Sequence, residues 1–220
     1  MDMISRYAQV QHRLAASRKD APLAAPSTTL IAVSKTFPAE AVLPLLQTGH
    51  RAFGENRVQE MAEKWSPLRE MFPDIEMHLI GPLQRNKAEL ALEHAEVMHS
   101  LDRPELAQKL ADLWEIPGRR TTRLFVQVNT GEEPQKSGIA PKDTAEFVRW
   151  CREDLGLPVE GLMCIPPLDA IPAPHFAWLR AQADRLELPH CSMGMSDDFE
   201  QAARFGSTHI RVGSAIFGGR

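Results

Sequence analysis

Short runs of β-branched and aliphatic residues alternate along the chain with longer stretches whose apolar positions recur at helical spacing. The runs Leu30–Val33, Ala52–Gly54, Met77–Ile80, Val97–Ser100, Leu124–Asn129, Val159–Met163, His190–Met193 and Thr208–Val212 predict eight β-strands. Amphipathic segments lie between them. Ala39–Leu46 has Pro38 at a first-turn position and Gly49 beyond its end, the usual start and stop of a helix. Pro104–Trp114 places Leu106, Leu110, Leu113 and Trp114 on one face, with Gly118 just past its end. A further helix, over roughly Ile4 to Ser17, precedes the first strand. The loop Lys19–Ser27, with Pro22 and Pro26, separates the two.

Strands that alternate with helices call for right-handed β-α-β crossovers and a parallel sheet. Leu30-Ile31-Ala32-Val33 and Leu124-Phe125-Val126 are apolar at every position, as in strands covered on both faces. Both an open doubly wound sheet and a closed barrel fit this pattern. Eight units in 220 residues, with no linker and no block of antiparallel strands, favour the barrel. The expected architecture is a single-domain α/β fold, a (β/α)8 TIM-type barrel over 30–220 with an extra N-terminal helix and loop over 1–29.

Composition narrows the function. Apolar residues at 43% and charged residues at 25% are globular values and exclude a disordered chain. A net charge of 25 − 29 = −4 supplies no basic field, so no nucleic-acid partner is expected. No apolar run is long enough for a membrane helix, and Met1-Asp2-Met3-Ile4-Ser5-Arg6 lacks the order of a signal peptide. Cys151, Cys164 and Cys191 are odd in number and widely spaced, which predicts reduced, buried thiols and a cytoplasmic location. The histidines have no metal-ligand spacing, so no metal is expected.

There is no Gly-x-Gly-x-x-Gly turn, no Gly-Lys-Ser/Thr phosphate loop and no Gly-x-Ser-x-Gly elbow. What stands out is Lys35, directly after Leu30-Ile31-Ala32-Val33-Ser34 and so at the C-terminal end of the first strand. Barrels build their sites on that rim, and an amine there can form a Schiff base with a carbonyl compound. A solvated lysine is the plainer reading of the position alone. The loops after the last two strands hold Ser196, Gly213 and Ser214, where barrels commonly bind phosphate through backbone N–H groups. Asp197 and Glu200 also fit an ordinary capping box there. On the last strand Arg211 shares a face with His209. Turned inward, it would meet the ring nitrogen of a pyridine cofactor; turned outward, it would sit between barrel and helices. Asn56, with Gln59 three residues on, reads as a helix cap on the same rim, with ligand contact as a second role. Gln84-Arg85-Asn86-Lys87 gives polar groups at the third strand's end, with no chemistry assigned.

These segments together resemble a known family. Ala32-Val33-Ser34-Lys35-Thr36, Phe53-Gly54-Glu55-Asn56-Arg57-Val58-Gln59-Glu60, His78-Leu79-Ile80-Gly81-Pro82-Leu83-Gln84-Arg85-Asn86-Lys87, Ser192–Asp198 and Arg211-Val212-Gly213-Ser214-Ala215-Ile216-Phe217-Gly218 are similar to the pyridoxal phosphate homeostasis proteins, single-domain relatives of the N-terminal barrel of alanine racemase. The resemblance implies that pyridoxal 5'-phosphate (PLP) is held as a lysine aldimine at Lys35. It also implies that Ser196, Gly213 and Ser214 hold the phosphate, that Arg211 faces the pyridine nitrogen and that Asn56 lies beside the cofactor. Ser214 stands where the family often has Thr, and the stretch after Cys164-Ile165-Pro166-Pro167 departs from its pattern.

Three functions follow as alternatives: a PLP carrier in intracellular PLP homeostasis with little or no turnover, an amino-acid racemase, and a cofactor-free Schiff-base lyase. Tyr7 is the only tyrosine, which leaves a two-base racemase without an evident second base. The carrier reading leads, with no catalytic residue assigned. PLP-dependent apo-enzymes are the expected partners, and the chain is expected to be a monomer.

Overall fold

The computed structural model describes residues 1–114 and 122–219. Gly118, the predicted helix stop, lies outside the described residues. The strands are β1 (Thr29–Val33), β2 (Ala52–Glu55), β3 (Glu76–Leu79), β4 (Val97–Leu101), β5 (Arg123–Val128), β6 (Val159–Cys164), β7 (His190–Ser192) and β8 (His209–Val212). They pair in chain order as one closed barrel. β1 takes β2 on one side and β8 on the other, both parallel, which excludes the open sheet. Around the barrel run α1 (Met3–Arg18), α2 (Ala39–Gln47), α3 (Val58–Met71), α4 (Ala88–His94), α5 (Pro104–Trp114), α6 (Thr144–Arg149), α7 (Pro172–Arg185), α8 (Phe199–Arg204) and α9 (Ser214–Phe217).

Local chemistry explains the helix ends that matter. Asp2 caps α1 by accepting the Ser5 N–H at 2.7 Å. Gly49 stops α2: its φ of +91° suits glycine, and its N–H reaches the Leu46 carbonyl at 3.0 Å. Two sequence-predicted caps are absent. α3 begins at Val58 behind Arg57, without a side-chain cap, so Asn56 stays outside the helix. The Gly81 backbone packs against Asn56 so closely that a Cβ on Gly81 would lie 2.3 Å from the Asn56 carbonyl oxygen. That contact holds Asn56 where the chain leaves β2, and only glycine fits opposite it. Similarly, α8 starts behind Asp198, and Glu200 does not reach back to Asp197. Arg13 of α1 takes the Glu200 carboxylate instead, at 2.7 and 3.1 Å.

The outer core lies between strands and helices and holds Leu30, Ala32, Ile210 and Val212 with the apolar faces of the helices. Val97, Phe125 and Met163 form a separate buried cluster inside the barrel. Alternation along each strand sends every second residue to this interior. Cys151, Cys164 and Cys191 are free and buried, and burial pushes each thiol up to about 12. Among the described residues no helix is long and apolar enough to cross a membrane.

Candidate functional site

Lys35, Asn56, Ser196, Arg211, Gly213 and Ser214 all line one cavity of about 610 Å³ at the C-terminal ends of the strands. Val33, Ile80 and Ile165 give it apolar surface, while Gln127, Lys136 and Asp197 add polar groups.

Lys35 is half-buried and flanked by two fixed residues. On one side, the buried Ser34 donates its hydroxyl to Glu55 Oε1 at 2.8 Å. Lys64 of α3 donates to the Ser34 and Phe37 carbonyls at 2.8 and 2.9 Å. The Lys64 ammonium lies 2.5 Å from Glu55 Oε1, which also accepts the Trp65 indole N–H at 3.0 Å. Burial pushes the Glu55 carboxyl up, and Lys64 opposes that shift. On the other side, Thr36 has φ +69°, a strained region for a β-branched residue, and its N–H meets Glu60 Oε1 at 2.5 Å. The lysine therefore stands on a loop held from beneath by α3.

The opposite wall is built from backbone. Ser196 Oγ accepts the Gly213 and Ala215 N–H groups at 3.3 and 3.4 Å, long contacts that leave both donors available to a stronger acceptor. Gly213 has φ −114°, so its conformation does not demand glycine; an added Cβ would press on the Val33 carbonyl at 3.3 Å. Gly194 does demand it, with φ +94° and a Cβ position 2.5 Å from that of Ala202. The Asp198 carboxylate turns back to the Met195 N–H at 2.6 Å, whereas Asp197 is exposed on the cavity rim. α1 supports this wall from behind, because Arg6 donates to the Ile216 and Phe217 carbonyls at 2.7 and 3.1 Å.

Arg211 points inward, the choice that strand alternation left open. It is buried, donating to Ser192 Oγ at 2.6 Å and to the Cys164 carbonyl at 3.0 Å. Neither partner is charged, and burial pulls its guanidinium down from the usual range.

Residues 6–220 match the family described as alanine racemase, N-terminal domain. This chain belongs to that family, and within it to the pyridoxal phosphate homeostasis proteins. It is 36% identical over 230 residues to the pyridoxal phosphate homeostasis protein of Escherichia coli strain K12, covering 100% of this chain and 97% of the relative. It is 40% identical over 205 residues to that of Vibrio alginolyticus, covering 88% and 87%. Among solved structures it is similar to PipY of Synechococcus elongatus PCC7942 with PLP bound, at TM-score 0.79 and 38% identity, over 94% of this chain and 99% of that one.

All six sequence-predicted residues line this one cavity. Sequence reasoning missed Gln127 and Lys136 on the rim, and the polar residues behind Arg211. His78, His99 and Ser192 are fully buried on inward positions of β3, β4 and β7. Polar residues at every second position of otherwise apolar strands were the signal that could have found them. Lys136 lies in the long loop after β5, where no periodicity exists to read.

Proposed function

We propose that the cavity holds PLP, that Lys35 joins it covalently as a Schiff base, and that the protein serves in intracellular PLP homeostasis with little or no turnover. The observation that carries this reading is the convergence of Lys35, Arg211 and the Ser196–Gly213–Ser214 cluster on one cavity. Their chemistry fits the cofactor. An amine suits an aldehyde, backbone N–H donors suit a phosphate, and a buried guanidinium with neutral partners suits an uncharged ring nitrogen. Asn56 would lie beside the ring. PLP bound to such a protein supplies an aldehyde held in reserve; the chain's own residues bind and orient it. PLP-dependent apo-enzymes in the cytoplasm would be the recipients, and one copy of the chain holds all six residues.

The racemase alternative needs a second base facing Lys35. Tyr7 is the only tyrosine, and its hydroxyl is engaged with His50 Nδ1 at 3.0 Å and Gln11 Nε2 at 2.8 Å. His50 precedes β2, so this cluster sits at the end of the barrel away from the cavity. The placement speaks for the carrier.

Borohydride reduction of the PLP-loaded protein and peptide mapping test the covalent claim, with the adduct expected on the peptide containing Lys35. An adduct on Lys136 or Lys87 would overturn it. Titration with pyridoxal against PLP tests the phosphate wall. Loss of two or three charge-assisted hydrogen bonds should weaken pyridoxal by about a hundredfold or more. Equal affinities would reduce Lys35 to a reactive amine. Rapid deuterium uptake at Cα of L-alanine, abolished by Lys35→Ala, would favour the racemase.

A further inference from the structure

Six side chains from five strands join end to end through the barrel interior. Arg211 Nη1 donates to Ser192 Oγ at 2.6 Å, and Ser192 Oγ lies 2.8 Å from His99 Nδ1. His99 Nε2 lies 3.0 Å from His78 Nδ1. His78 Nε2 lies 2.9 Å from Glu76 Oε1, an ion-pair distance without full hydrogen-bond alignment. Arg123 Nη2 donates to Glu76 Oε2 at 2.6 Å. Ser192, His78 and His99 are wholly buried, while Glu76 and Arg123, at the N-terminal ends of β3 and β5, reach solvent. The chain thus runs from the cavity to the opposite face of the barrel.

Its two ends dictate its polarity. A guanidinium only donates, an ionised carboxylate only accepts, and a neutral imidazole or a hydroxyl has one hydrogen to give. Ser192 must accept from Arg211, so its hydroxyl hydrogen is free for His99 Nδ1. His99 then carries its hydrogen on Nε2 and gives it to His78 Nδ1, and His78 carries its own on Nε2, facing Glu76. The reverse order would set the bare His78 Nε2 lone pair against the carboxylate and leave the Ser192 hydrogen without an acceptor. Burial pushes both imidazoles down from their ordinary value, in keeping with neutral rings.

We propose that Ser192 and His99 are positioning residues that hold the Arg211 guanidinium toward the cavity, through a one-directional hydrogen-bond relay anchored at Glu76. Among the described residues the guanidinium's hydrogen-bond partners are Ser192 Oγ and the Cys164 carbonyl, both uncharged, so the relay and that carbonyl are what fix it. The ligand-facing consequence rests on the reading that PLP occupies the cavity. Two Arg211 donors are engaged by Ser192 and the Cys164 carbonyl, and a guanidinium has no acceptor, so a bound ring facing its remaining N–H groups must offer one.

Two measurements separate the relay from the cofactor reading. Nitrogen-15 NMR of the ligand-free protein at neutral pH should show His78 and His99 both neutral with hydrogen on Nε2. A hydrogen on Nδ1 of either ring overturns the relay whether or not PLP binds. In the PLP-loaded protein, Ser192→Ala should keep the attachment to Lys35 but weaken PLP about tenfold to a hundredfold. It should also move the nitrogen-15 signal of labelled PLP away from its wild-type position. Unchanged affinity and an unchanged ring signal overturn the positioning role. If Ser192→Ala does not fold, His99→Gln, which keeps one donor and one acceptor, should preserve the ring signal that His99→Phe loses; equal signals in the two overturn the role. A wild-type protein that shows the stated tautomers but takes up no PLP would leave the relay standing and remove the cofactor reading.

Discussion

The wall of the cavity that carries Lys35 is held by a buried ion pair, whereas the wall that carries Ser196, Arg211, Gly213 and Ser214 is held by hydrogen bonds to uncharged partners and by a helix outside the barrel. On the first wall the Lys64 ammonium and the Glu55 carboxylate are almost fully buried and sit directly beneath the Lys35 loop. On the second, Ser192 and two imidazoles hold Arg211 from inside, and α1 holds α9 from outside. A covalent attachment point needs one fixed amine, and a paired buried charge tolerates only one geometry. An anion cradle needs several weak donors, and backbone supplies those without a cation. The two walls should therefore fail under different insults.

The largest effect is expected from Lys64→Met, which leaves the Glu55 carboxylate buried without its cation. Breaking such a pair costs about 3–5 kcal/mol, measurable as a lower urea midpoint at unchanged slope. Adding Glu55→Gln should recover part of it. If the double variant is as unstable as the single, Lys64 acts by packing and the contrast between the walls weakens.

Acid should strike the other wall and the base of the barrel. Burial pulls His209 down to about 2 and His50 down to about 4, and lowers His78, His99 and His190 as well. In the unfolded chain a histidine takes its proton near 6.5, so below that pH the unfolded state binds more protons. Stability is thus complete above about pH 6.5 and is lost as pH falls toward the folded values. By pH 5, His50 and His209 should each have cost about 2 kcal/mol. Thermal melts between pH 8 and 5 check this, and a flat profile would refute the neutral interior.

Smaller effects should come from α1. Arg6→Ala removes two hydrogen bonds to the last carbonyls of α9 and should cost about 1–2 kcal/mol. On the proposed placement of the phosphate beside Gly213 and Ser214, it should also weaken PLP more than pyridoxal. Arg13→Ala breaks an ion pair whose members are 39% and 43% exposed, and should cost less than about 1 kcal/mol by the same unfolding assay.

Much of this was legible along the chain, because the relevant information is local and periodic. Alternating strand and helix patterns with one crossover hand lead to a parallel barrel, and they place Lys35, Ser196 and Gly213 after strand ends on one rim. The identity of those residues then points to an aldehyde and a phosphate. The cap readings at Asn56 and Asp197 went astray because capping is a competition. Gly81 packs on Asn56 and Arg13 takes Glu200, both from segments distant in sequence. Only the closed barrel decided which way Arg211 points. Alternation sorts a strand into two sets of residues but does not say which is inside when both faces are buried. The same holds for the relay, where His78 and His99 are 21 positions apart and His99 and Ser192 are 93. No local pattern ties such residues together; the curvature that brings β8 back to β1 does.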